Sequence, residues 1–145
     1  MKVFISIVFG ILFFSCNNTS KKETSSVKEK MVYDMYEPSE MSILMNDMYE
    51  YNLKLKQDIV DGKTPLEFPS KFLDIHSAQL SEFKSRNDKF QAYSQLFIKH
   101  QQDIFNSDSN IDLLERYNRT INLCVTCHTT ECTGPIPKIK KLLIK

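Results

Sequence analysis

Cys124-Val125-Thr126-Cys127-His128 sets two thiols two residues apart and follows the second at once with an imidazole. That spacing is the attachment signature of a c-type haem. The two sulfurs would add to the two vinyl groups as thioethers, and the intervening pair lets both reach one porphyrin edge. The adjacent histidine then falls under the ring, where its nitrogen can ligate iron. The reading is one covalent haem c, with Cys124 and Cys127 as thioether residues and His128 as the proximal ligand. Three other readings use the same letters. A thioredoxin-like dithiol needs a βαβ setting, and none is visible. A zinc site needs a second C-x-x-C or an H-x₃₋₅-H, and neither occurs. The last is a coincidence with no cofactor.

Covalent haem of this type is attached outside the bacterial cytoplasm, so the amino terminus bears on the motif. Met1-Lys2 is a short positive start, and Val3 to Phe14 is apolar apart from Ser6 and Gly10. This run has the length of a signal h-region and is short for a bilayer span. Ser15-Cys16 then resembles a lipoprotein cleavage site, despite Phe13-Phe14 where smaller residues are usual. The expectation is a signal peptide over 1–16 and a lipid anchor on Cys16, giving a membrane-anchored protein of the periplasm or cell envelope. An ordinary signal peptide with an incidental cysteine is the alternative. Residues 17–37 are rich in Asn, Thr, Ser, Lys and Glu and read as a tether. The formal net charge of the 145 residues is +1, with no basic stripe interleaved with aromatics. That argues against a nucleic-acid partner.

The motif must be carried by residues 38–145, enough for one domain with a tail from about 133. The chain has three glycines and no sustained alternating pattern. The expected fold is all-α. A first helix over about Ser39 to Asp61 carries Met41, Met45, Met48, Asn52, Leu55 and Ile59 at helical steps, widened by Leu44. Gly62 before Thr64-Pro65 is its stop. A second begins near Pro69, with Phe72, Ile75, His76, Gln79, Leu80 and Phe83 facing inward. A third carries Phe90, Tyr93, Leu96, Phe97, His100 and Ile104. The polar cluster Asn106 to Asn110 turns the chain and offers caps. The last helix starts near Ile111. Its stripe of Leu114, Tyr117, Ile121, Cys124 and His128 puts the motif on the apolar face. Short connections favour an antiparallel four-helix bundle with the motif at the end of the last helix.

This combination resembles the cytochrome c′ superfamily over roughly Ser39 to His128. Its members are exported four-helix bundles with C-x-x-C-H late in the last helix, and the first helix supplies the distal face of the haem. Leu44-Met45, with Asp61-Gly62-Lys63-Thr64-Pro65 ending the helix, is similar to six-coordinate members, in which a methionine of a Leu-Met pair ligates iron. The resemblance implies Met45 as the distal ligand, with Met48, one turn on, as its nearest rival. It also implies a homodimer through the outer faces of the first helices. The chain departs from the family after the motif. The arginine usual four residues past the histidine is replaced by Cys132, and a tail runs on through Gly134-Pro135-Ile136-Pro137 to Lys145.

Several residues carry two readings. Met45 is a ligand or core packing. His76 and His100 are distal ligands or, as we favour, ordinary histidines. Arg116 and Arg119 are partners for propionates or solvated helix charges, the latter favoured. Cys132 is left over once Cys16, Cys124 and Cys127 are assigned, so it is a free thiol or an intermolecular bridge. Lys138, Lys140, Lys141 and Lys145 alternate with Ile136, Ile139, Leu142 and Leu143. The tail therefore reads as an arm closing on the bundle end or as a docking patch for an acidic redox partner, the arm being favoured. No catalytic triad, carboxylate pair or phosphate loop points to an enzyme. The first functional expectation is an electron carrier serving periplasmic or membrane redox partners. A gas-binding haem protein with an open distal position lined by Leu44, Met45 and Met48 is second, and a non-redox lipoprotein is third.

Overall fold

The structure, a computed structural model, describes residues 37–65 and 67–145. The expected signal peptide, Cys16 and the expected tether up to residue 36 lie outside the described residues. Those described are all-helical, with no strand among them. None of their helices is long and apolar enough to cross a membrane.

Helix α1 spans Glu40–Val60. Ser39 Oγ accepts from the Ser42 amide at 3.2 Å and satisfies one orphan donor of the first turn. At the far end Gly62 has φ 75°. Its N–H donates to the Ile59 carbonyl at 3.0 Å, and the Lys63 N–H to the Asp58 carbonyl at 2.8 Å. These paired bonds are a Schellman stop, and the left-handed residue it requires is why a glycine stands there. Met41, Leu44, Met48, Asn52 and Leu55 are buried, so the expected stripe faces the core.

The second expected helix is replaced by a shorter element. A 3₁₀ helix over Ser70–His76 buries Phe72 and Ile75, and the chain then runs irregularly to Asn87. His76 and Gln79 are exposed, and Phe83 is 93% exposed. At Gln79 the backbone bonds to α1 instead of continuing a helix. The Gln79 carbonyl accepts from the Met41 N–H at 3.0 Å, and the Gln79 N–H donates to Glu40 Oε2 at 2.8 Å. Ser77, Ser81 and Ser85 add side chains that compete locally with helix formation.

Helix α2 spans Asp88–Asp103, capped by Asn87, whose Oδ1 accepts from the Phe90 amide at 2.8 Å. Helix α3 spans Leu113–Glu131. Its cap is Asp112, accepting from the Leu114 amide at 2.9 Å, rather than a residue of the 106–110 turn. Arg116 ties α3 to the end of α2. It is buried, and its guanidinium donates to the carbonyls of Asp103, of Ile104 at 3.2 Å and of Asn106 at 2.8 Å. A cation there answers the negative end of the α2 dipole. The expectation of a solvated charge is corrected for Arg116. It holds for Arg119, which pairs with Glu115 at 2.7 Å on the surface.

After α3 the tail folds back as a strap: α4 over Ile136–Ile139, a 3₁₀ turn over Lys140–Leu142, and three further residues. Ile139 and Leu142 are buried. Tyr117, fully buried, donates its hydroxyl to the Asn52 carbonyl of α1 at 2.9 Å and to the Leu142 carbonyl of the strap at 3.2 Å. Asn118 donates to the Ile144 carbonyl and accepts from the Ile144 N–H, both at 2.9 Å.

Two apolar clusters fill the core. One gathers Met41, Leu44, Met48, Phe72, Phe90 and Phe97 among its members, and the other gathers Leu55, Ile104, Tyr117, Ile121, Ile139 and Leu142. Cys124 packs against both, so the motif sits at their junction.

Candidate haem-attachment site

Late in α3, the stripe Tyr117, Ile121, Cys124 and His128 climbs one face of the helix. The first two are fully buried and the last two half-buried. Leu114, at the foot of the expected stripe, is 40% exposed. The last turns of α3 therefore carry a shelf on which the core packing opens.

Three cavities open around that shelf. The first, of about 160 Å³, is bordered by Met45, Met48, Asn52 and Phe97 with Cys124 and His128. The second, of about 50 Å³, is bordered by Met45, Met48, Phe90 and Phe97 with Cys124, Cys127 and His128. The third, of about 270 Å³, has Met41, Met45 and Phe90 on its wall with Cys127 and His128. Met45 and His128 border all three. Each cavity is smaller than the roughly 300–1,000 Å³ usual for a small-molecule site, but they meet at these two side chains. The α1 thioether and the α3 imidazole, far apart in sequence, thus share one set of walls. Met48 borders two cavities and Met41 one, and both are buried core residues.

The imidazole is oriented from outside. His128 Nδ1 lies 2.9 Å from the Cys132 carbonyl. A carbonyl can only accept, so Nδ1 carries the proton in this bond and Nε2 remains free to act as a ligand. Cys132 takes an extended conformation where α3 ends, which aims its carbonyl back at the ring. Its own thiol is exposed.

The two motif thiols are kept neutral. Burial pushes the Cys124 thiol from 9.0 up to about 12, and the nearby Cys127 adds to the shift. Burial, with Glu131 beside it, raises the Cys127 thiol from 9.0 to about 11. Reactive dithiols show the opposite displacement, because the thiolate is their working form. Among the described residues no three of His, Cys, Asp and Glu gather as a group able to hold a metal ion. The donors present are two neighbouring thiols, one imidazole with a free Nε2 and one thioether. Two thiols spaced for the two vinyl groups and one imidazole with a free nitrogen are what a covalent haem requires, and the thioether offers a second donor to iron, so the residues fit that group.

Other sequence-predicted candidates lie elsewhere. His76 is exposed, with Nδ1 3.4 Å from Ser94 Oγ, and borders none of the three cavities. His100 is half-buried and is also absent from their walls. Leu44, expected to line the distal position, instead borders a separate cleft with Lys71, Asp74 and Ala78. It stands one helical step from Met45, which rotates it by about 100° away from the site. The tail, expected as an arm closing on the helices, packs as one and also walls the site. Pro135, Lys138, Ile139 and Leu142 all border the first cavity. The spacing of three in Ile136, Ile139 and Leu142 signals the buried face of that arm, but not which cavity it borders. Compared with protein-family models, curated proteins and solved structures, the chain matches none.

Proposed function

We propose that this protein is an exported c-type cytochrome that carries electrons through one covalently attached haem. One observation carries the reading. Cys124, Cys127 and His128 border cavities that Met45 of α1 also lines. Cys124 and Cys127 hold the group as thioethers. His128 supplies Nε2 on the proximal side, steadied through Nδ1 by the Cys132 carbonyl. Met45 supplies the distal sulfur. When bound, such a group supplies reversible one-electron chemistry at iron, and a methionine–histidine pair raises its potential. Apolar side chains such as Phe90, Phe97 and Ile121 line the site. The carrier is one domain that resembles the cytochrome c′ superfamily, with a 3₁₀ helix in place of the second helix and the strap added after the last long one. Lipid on Cys16 holds it at the envelope.

The test is optical. Full-length protein made in a host competent for haem attachment should give the alkaline pyridine spectrum of a c-type haem. The double variant Cys124→Ala, Cys127→Ala should give none after extraction. A wild-type chain that leaves that host without covalent haem would sink the proposal. A high-spin ferrous spectrum with immediate carbon monoxide binding would transfer it to gas binding.

A further inference from the structure

The strap carries a charge pattern that its packing role does not use. From Thr133 to Lys145 there are four lysines and no Asp or Glu. Lys138, Lys140, Lys141 and Lys145 are all exposed. Elsewhere among the described residues, Lys54 and Lys63 pair with Asp58 and Lys71 with Asp47, while unpaired lysines such as Lys89 and Lys99 of α2 do not form so dense a run. On the strap, among the described residues, only Lys138 approaches a carboxylate, Glu50 Oε1 at 4.0 Å, while its ammonium lies 3.9 Å from the centre of the Tyr49 ring. The backbone beneath is held firmly. Lys56 Nζ donates to the carbonyls of Lys141 at 2.9 Å and Leu143 at 2.8 Å, which brings a fifth cation up to the strap. Lys138 also borders the cavity that holds Cys124, His128 and Met45.

We infer that the strap is the docking surface for an acidic redox partner protein, an inference that rests on the proposed electron-carrier function. A fixed cluster of unneutralised cations raises the local concentration of an acidic surface and orients its approach. Because Lys138 is both part of the cluster and part of the cavity wall, the docked partner is brought to the edge of the redox site. An anionic membrane would attract the same charge, but it draws nothing from the position of Lys138 on the wall of the redox cavity. Here Ile139 and Leu142 are turned into the core and Ile136 is half-buried, so the strap offers charge alone.

The test uses full-length protein and the variant Lys138→Gln, Lys140→Gln, Lys141→Gln, Lys145→Gln. Oxidation of the reduced protein by ferricyanide, an anion, should slow about tenfold in the variant at low ionic strength, and the gap should close in high salt. Oxidation by cationic tris-phenanthroline cobalt should not slow. Polyglutamate should protect the four strap lysines of the wild type from amine acetylation more than the exposed Lys89 and Lys99 of α2. Equal ferricyanide rates for the two proteins, or equal protection of strap and α2 lysines, would overturn the inference. So would lysine protection given only by phosphatidylglycerol vesicles, which would assign the strap to membrane. Failure to acquire haem would sink the cytochrome reading instead, and the polyglutamate footprint would still decide the docking surface.

Discussion

Met45→Ala deletes the one thioether that borders all three cavities and leaves Cys124, Cys127 and His128 in place. Under the proposed function the variant retains covalent haem and loses the sulfur-to-iron charge-transfer band of the oxidised protein. Met48→Ala should keep the band, because Met48 is buried in the core cluster and its loss is a packing loss. A band that survives Met45→Ala and disappears in Met48→Ala would reverse the assignment. This is the scale at which the sequence was most legible. Five consecutive residues fix two sulfurs and an imidazole by covalent spacing alone. The rotation of α1 is harder to read, because Leu44 and Met45 are neighbours and only tertiary packing decides which turns toward the motif. In the structure Leu44 turns away.

At the scale of elements, Tyr117 is the joint between α1, α3 and the strap. Its hydroxyl serves two buried carbonyls, so Tyr117→Phe leaves both short of a donor. The expected cost is about 1–3 kcal/mol, read as a lower urea midpoint with an unchanged slope. Helices α1, α2 and α3 were legible as elements because each has a continuous stripe at helical steps and a cap or stop. Even there the inner face of α2 was only partly read. Leu96 is 42% exposed, whereas the polar Ser94 and Gln101 are buried. The stretch after Pro69 was misread for a different reason. Phe72 and Ile75 suit a helix, but the backbone at Gln79 is engaged by Met41 and Glu40, residues nearly forty positions earlier. A partner so distant leaves no periodic trace. Arg116 was misread likewise, since its three carbonyl acceptors at the end of α2 are contributed by backbone and not by residue type.

For the whole molecule, the two buried thiols make the haem-free chain sensitive to base. Folding raises their pKa values from 9.0 to about 12 and about 11, so above pH 9 the unfolded chain gives up these protons first. With more protons bound in the folded state, stability is fully present below about pH 9 and falls as pH rises through about 11 and 12. The Tyr117 hydroxyl, also raised by burial, acts in the same direction. Urea unfolding of haem-free protein at pH 8 and pH 11 should give a lower midpoint at the higher pH, and Cys124→Ala should flatten the trend. A trend that stays as steep in Cys124→Ala would remove the thiol from the account. The strap adds an order of events to this picture. When seated, it walls one cavity of Cys124 with Ile139 and Leu142. A neutral thiol behind that wall is a poor nucleophile and a poor target for any enzyme. Under the proposed function, thioether formation at Cys124 is favoured while the strap is lifted, which makes its seating a late step of maturation.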